Sequence, residues 1–463
     1  MPGGARSHGG RTPGRRATGR RATRDRRARR DGAPDRRRPA RERLCRARRG
    51  ARGAGAWACD GCRRAPARAR RVQPRAVDRY RGAGLPEPRV RILQLVSCRG
   101  WSSDAYWAAR VSRELERRGH EVTLGCRVGT DERVITPALQ LGVRSIETFA
   151  FASGLKPLAD PADVRRLTAK LAETDIVHVH RGKEHWLAAA ANRLSRTPRP
   201  LVRTRHIALA VRPHAANRWL YRRATAWVVT VTDAIRGQYI ASGLLEPERV
   251  TALPGGVDTE VYRPLPADPA VRRKLGGEPD RPLVGVVAGL RVMKGHAVVI
   301  EAAGYLGARG LRPRFAFVGR GSTEPAIRAA IRAAGLDAQF TVSGFADDLP
   351  QVLAALDVVL YVPLESDGMS RVVFECLAAG RPLIASRVGV VPEVLTDDEH
   401  AVLVPSGDAA ALADAIARLL GNAGIRERLG RAARKLVESR YSGAQLAAAL
   451  ETRYARLVTA PPV

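Results

Sequence analysis

YVPLESDGMSRVVFECLAAGRPLIAS, residues Tyr361 to Ser386, is the stretch whose reading decides the fold of this 463-residue chain. An apolar run ending at Pro363 has the composition of a buried strand. From Ser370 to Ala379 the spacing is helical, and it stops at Gly380 ahead of Pro382. The loop between them carries Asp367 and Gly368, and Glu375 falls within the helix. Amides at a helix N-terminus point outward and carry partial positive charge, so Gly368, Met369 and Ser370 form a candidate cradle for a phosphate group. The two flanking carboxylates are poor phosphate ligands and good acceptors for sugar hydroxyls. The combination points to a nucleotide sugar more than to a bare nucleotide.

Working outward, strand and helix signals alternate from Arg89 onward. The pattern predicts strands at 90–97, 121–127, 175–180, 201–204, 225–231 and 250–254, with helices at 105–118, 163–173, 183–194 and 233–242. Pro264, Pro266, Pro279 and Pro282 mark a crossing. Beyond it, strands at 283–289, 314–318, 339–344, 357–363 and 401–405 alternate with helices at 295–308, 322–335 and 348–356. Near-continuous apolar strands between amphipathic helices imply parallel sheets covered on both faces. The expected fold class is therefore α/β, with two doubly wound, Rossmann-like domains at 89–262 and 263–463 facing each other across a cleft at their strand C-termini. A chain of this length exceeds what one core serves. The last helix is expected to pack back on the first domain.

The net charge of +35 is unevenly spread. Residues 1–88 hold 28 Arg and no Lys against 7 Asp plus Glu, or +21, which leaves +14 for the body. Built from Arg, Gly, Ala and Pro without a sustained period, this segment cannot bury enough surface to order itself and is expected to be disordered. A basic arm for nucleic acid or an anionic surface is one reading. A targeting peptide would need an apolar or amphipathic stretch that is missing. A start placed too early in a GC-rich gene accounts best for Arg without Lys. Cys59 and Cys62 have the spacing of half a zinc site without a second pair, while Cys98, Cys126 and Cys376 read as buried thiols. No apolar run is long enough to span a membrane.

The spacing Asp367-x7-Glu375 followed by CLAAGRPLIAS resembles the carboxylate-x7-Glu signature of the retaining glycosyltransferases of family 4, which have the GT-B fold. The resemblance covers roughly residues 90–460. In that family the first acidic residue, normally Glu and here Asp367, holds the donor hexose, and the second, Glu375, holds the ribose. GLRVMKG, residues 289–295, resembles the loop whose basic residues grip the diphosphate, which assigns that role to Lys294 and Arg291; the family's Arg commonly lies further ahead of the Lys. FVGRGS (317–322), GVVPEVL (389–395) and LPGGVDTEVYRP (253–264) match other family segments. VRTRHI (202–207) puts His206 at a strand end, where some members carry a His facing the donor sugar. The first loop reads CRGWSSDAYW, with Ser102 and Ser103 where the family carries paired glycines beside the acceptor.

Simpler readings stand beside these. Asp367 could serve only as a helix cap, and Asp233 after Thr232 as another. His206 could be a hydrogen-bonded structural residue, and Glu375, Arg291 and Lys294 could be solvated. His178 and His180 share one face of a strand, with no third ligand at a suitable spacing for a metal.

No two Asp residues are separated by a single residue, so the charge of a leaving diphosphate would fall to Lys294, Arg291 and the helix N-terminus. The resemblance implies metal-independent transfer of a hexose, with retention and no cofactor, from a nucleotide sugar to a glycan or lipid-linked acceptor. It also implies a place in polysaccharide or cell-envelope synthesis, in the cytoplasm or at the inner face of an anionic membrane. Two other readings are carried. A nucleotide-sugar 2-epimerase of similar shape would release free sugar without an acceptor. A nucleic-acid-binding protein would bind with a steep salt dependence lost on deletion of residues 1–88.

Overall fold

A computed structural model describes residues 89–344, 348–366 and 368–459. The Arg-rich stretch 1–88 and Asp367 lie outside the described residues. The first sheet contains β1 (Arg91–Val96), β2 (Glu121–Arg127), β3 (Ser145–Phe149), β4 (Ile176–Val179), β5 (Leu201–Arg205), β6 (Trp227–Thr230) and β7 (Val250–Ala252). All pair in parallel, in the order β3-β2-β1-β4-β5-β6-β7. The second sheet contains β8 (Leu283–Val287), β9 (Arg314–Val318), β10 (Phe340–Ser343), β11 (Val358–Tyr361), β12 (Leu383–Ser386) and β13 (Val402–Val404), also parallel, in the order β10-β9-β8-β11-β12-β13. Crossover helices cover both faces of each sheet, which is why central strands such as Trp227–Thr230 and Val358–Tyr361 are buried at every position.

The chain is thus two Rossmann-like domains, with element bounds that depart from the sequence pattern in several places. The edge strand β3 is not predicted, because Ser145 is exposed and Ile146, Glu147 and Thr148 are only half-buried, so the apolar run that marks a central strand is missing. The Pro-rich crossing contains a short helix, Pro269–Lys274, started by Pro in its first turn and capped by Asp268, whose carboxylate accepts from the Ala270 amide at 2.7 Å. The helix expected at 163–173 begins at Ala159, and the one at 322–335 shortens to Glu324–Ala333. Thr232, not Asp233, caps the helix Asp233–Ala241, its hydroxyl accepting from the Ile235 amide.

The crossover is pinned by charge. Asp258 meets Arg110 and Arg113 of the helix Ser103–Arg117, the latter at 2.9 Å, while its other oxygen accepts from the amides of Glu260 and Val261. Arg434 donates to the carbonyls of Tyr262, Ala378 and Thr259. The last helix, Gly443–Thr459, lies against the first domain. Its Tyr454 is fully buried with its hydroxyl 2.5 Å from His178 Nδ1, and Glu451 meets His120 at 2.9 Å. Cys98, Cys126 and Cys376 are buried free thiols, and burial pushes Cys126 up to about 12. Among the described residues no helix is long and apolar enough to cross a membrane.

Candidate active site

The site is built where strand ends of the two sheets face each other. In the second domain β8 and β11 are neighbours, so the loops that follow them lie side by side. The loop after β8 runs through Arg291 into a single turn, Val292–Lys294, and the Leu364 amide of the neighbouring loop donates to the Met293 carbonyl at 2.8 Å. Gly295 closes that turn at φ +74°, and a Cβ there would lie 1.9 Å from the Val362 carbonyl oxygen, so only glycine lets the Lys294 loop seat on the end of β11. Lys294 is buried and Arg291 is exposed.

The loop after β11 enters the helix Arg371–Ala378 one residue later than the sequence spacing predicts, with Ser370 as N-cap. The Ser370 hydroxyl bonds to the Tyr361 hydroxyl, Met369 is buried, and the Gly368 amide donates to Ser366 Oγ at 3.3 Å. Of the expected cradle, the Gly368 amide is thus turned to its own loop. Glu375 is 1% exposed. Arg371 Nε lies 2.8 Å from Glu375 Oε1, but the approach is not directed as a hydrogen bond, and among the described residues Oε1 accepts none. Burial raises this carboxyl above its usual range, against the pull of Arg371 and Tyr262. The Arg371 guanidinium in turn sits 4.4 Å over the Tyr106 ring of the first domain.

The facing wall comes from the first domain. The two walls touch at Gly368, where φ is +101° and a Cβ would lie 2.3 Å from the His206 carbonyl oxygen. His206 is brought by the β4–β5 pairing to the two histidines whose third partner the sequence spacing did not reveal. Its Nε2 is 3.1 Å from His180 Nδ1, and the His178 and His180 rings stack at 4.7 Å. His178 is held by Thr204 at 2.6 Å as well as by Tyr454, and His180 by Gln94 at 2.8 Å. Trp107 packs against all three imidazoles. Among the described residues no group of His, Cys, Asp or Glu is arranged to hold a metal. The Ser102 hydroxyl is taken up by Asp104 and by Cys98 Sγ, whereas Ser103 is exposed. Sequence reasoning missed Asp104 and Arg181, which pair with each other across the first loop. Burial works against the charged Asp104, yet hydrogen bonds from Arg181 and Ser102 keep its carboxyl well below the usual range. It also missed Glu393, whose two oxygens accept from the Asp233 and Ala234 amides at 2.6 and 2.9 Å and so join the second domain to a helix N-terminus of the first.

The buried imidazoles set a pH dependence. Burial brings His178 down to about 3 and His296 to about 4, whereas in an unfolded chain each titrates near 6.5. The unfolded chain therefore binds protons that the folded chain refuses. Their stabilising effect is complete above pH 6.5 and is lost as the pH falls toward 4 and 3. At pH 5 each group is expected to cost about 2 kcal/mol. The raised Glu375 carboxyl carries the opposite sign and offsets part of this loss. Urea unfolding at pH 7.5 and pH 5 checks the balance: a midpoint that does not fall at the lower pH would refute neutral burial of these rings.

Comparisons with known proteins identify the family. Residues 105–261 match the family model described as Glycosyltransferase Family 4, and residues 268–436 match Glycosyl transferases group 1. The chain is 32% identical to the Alpha-D-kanosaminyltransferase of Streptomyces kanamyceticus, over 49% of this chain and 59% of that protein. It is 31% identical to the 2-deoxystreptamine N-acetyl-D-glucosaminyltransferase of Streptomyces fradiae, over 65% of this chain and 79% of that protein. With the D-inositol 3-phosphate glycosyltransferase of Xylanimonas cellulosilytica it shares 28% identity over 77% of this chain and 92% of that protein. The crystal structure of Anabaena HepE in complex with UDP and glucose superposes with a TM-score of 0.67 at 20% identity, covering 80% of this chain and all of that one.

Proposed function

Because the chain belongs to the group 1 and family 4 glycosyltransferases, we propose that it moves a hexose from a nucleoside-diphosphate sugar to a glycan or lipid-linked acceptor, with retention of configuration and without a metal ion. The transferase class comes from the family; the hexose, the stereochemistry and the acceptor are the added steps. The observation that carries the reading is Glu375, a fully buried carboxylate whose Oε1 accepts no directed hydrogen bond among the described residues, in the loop-and-helix unit beside the Lys294 loop. Arg371 stands beside the carboxylate and Tyr262 also bears on it, and a further donor, here a ribose hydroxyl, fits the oxygen that accepts no directed hydrogen bond.

Breaking the bond between the sugar C1 and the diphosphate oxygen puts negative charge on the leaving group and oxocarbenium character on the ring. Lys294 and Arg291 meet the first, with the amides of Met369 and Ser370 at the helix N-terminus. Glu375 anchors the ribose, and Asp367, by its place in the family signature, the hexose hydroxyls. His206 stands on the opposite wall, and contact between the walls at Gly368 limits the entry of water. The enzyme would work at the cytoplasmic face of an anionic membrane, which the +14 charge of residues 89–463 favours.

A thermal-shift panel on the full chain tests the donor assignment. A nucleoside-diphosphate sugar at 100 times its Kd is expected to stabilise the protein by about 2.7 kcal/mol, with free hexoses giving no shift. If no nucleotide or nucleotide sugar in the panel stabilises the protein, the donor site is wrongly placed.

A further inference from the structure

We infer that Gln94 and His180 are positioning residues, whose hydrogen bonds hold His206 in the tautomer protonated at Nε2 and leave Nδ1 as the acceptor for a hydroxyl of a sugar bound in the cleft. The inference rests on the transferase reading above and adds the reason why His206 presents one particular nitrogen.

The tautomers follow in sequence from the geometry. With the Gln94 amide assigned so that Oε1 lies 2.8 Å from His180 Nε2, the amide oxygen only accepts, and His180 Nε2 carries its proton. His180 is buried beside two other imidazoles and Arg203, surroundings that keep it neutral, so its Nδ1 is a lone pair. His206 Nε2, 3.1 Å away, must then be the donor. A neutral His206 protonated at Nε2 has a bare Nδ1, and this nitrogen is buried with no hydrogen-bond partner among the described residues. A buried acceptor left without a donor costs the fold about 1–3 kcal/mol, which a hydroxyl of a bound sugar reaching Nδ1 would recover. The rings cannot turn to satisfy it, because Trp107 packs against both at 5.3 and 5.5 Å. His206 also belongs to the wall that meets the donor loop, through its carbonyl at Gly368. The charged and titratable groups facing His206 are Asp104, Arg181, Arg203 and Arg205, together with His178 and His180.

The hydroxyl comes either from the donor hexose or from the acceptor, and kinetics separate the two. Gln94→Glu puts a carboxylate at His180 Nε2, favours an imidazolium there, and so turns His180 Nδ1 into a donor that pushes the His206 proton to Nδ1. Gln94→Leu removes the constraint without reversing it. Nitrogen NMR of ring-labelled histidine in the full chain is expected to show His206 unprotonated at Nδ1 in the wild type and protonated there in Gln94→Glu. The latter should also lower kcat about tenfold or more and shift the acid limb of the pH profile upward. Donor hydrolysis measured without acceptor falls in step if the donor hexose supplies the hydroxyl, and stays level if the acceptor does.

A wild-type His206 protonated at Nδ1 would overturn the relay, as would Gln94 variants that keep the wild-type unfolding midpoint, kcat and KM. His206→Ala separates the two levels. Full transfer by that variant removes His206 from the cleft chemistry altogether, whereas an inactive His206→Ala beside unaffected Gln94 variants sinks the relay alone.

Discussion

Asp258→Ala is expected to destabilise the protein by about 3–5 kcal/mol, read as a lower urea midpoint with little change in slope. The Asp258 and Arg110 side chains are only 2% and 4% exposed, so the substitution leaves a guanidinium buried with Glu114 as its remaining anion, at 3.1 Å. The loss reaches further than one ion pair. The same carboxylate holds Arg113 and accepts from the Glu260 and Val261 amides, and the adjoining Val257 carbonyl accepts from Gly443 at the start of the last helix. One side chain therefore ties the helix Ser103–Arg117 to the crossover beside the point where the chain returns to the first domain. Asp258→Asn keeps an acceptor for the two amides and loses the charge, so it should fall between wild type and Ala. A loss below about 1 kcal/mol for Asp258→Ala would show that neighbouring carboxylates take over the pair.

The parts of the fold legible in the sequence are those where local pattern and tertiary role coincide. Strands buried on both faces, such as Val358–Tyr361, are continuous apolar runs, and Lys294 with Gly295 forms a loop whose glycine is demanded by its seat on Val362. The place of Glu375 on the helix Arg371–Ala378 was legible because helical spacing ties it to the loop ahead of it. What failed to show has no local signal. β3 lies at the sheet edge with exposed or half-buried side chains at all but its last position. The imidazole cluster is assembled by register: Gln94 stands beside His178, and His178 beside Val202, so Gln94, His180 and His206 meet although 86 and 26 positions separate the bonded pairs. Asp104 with Arg181 and Glu393 with the Asp233 amide are likewise pairs that only the folded chain brings together. Asp367, the first member of the signature, lies outside the described residues.

Lys294→Ala and Glu375→Gln are expected to impair transfer in different ways, and the difference separates the two halves of the donor site. Charge on the diphosphate grows as the bond to the sugar breaks, so an ammonium aimed at it binds the transition state more tightly than the ground state. Losing it should lower kcat about 10²–10³-fold, with a smaller change in donor KM. The ribose is the same in both states. Removing the carboxylate that holds it takes away uniform binding, so Glu375→Gln should raise donor KM about tenfold or more and leave kcat nearly intact. That negative charge also serves the fold. Glu375 is buried against Arg371 at 2.8 Å, so Gln leaves that guanidinium without its anion and should lower the unfolding midpoint while the protein still folds. Steady-state rates against donor concentration, with unfolding curves for both variants, decide the matter. Wild-type kcat and KM in both would remove the donor from this cleft, while a Glu375→Gln protein that keeps its activity but unfolds more readily would make the carboxylate a structural residue.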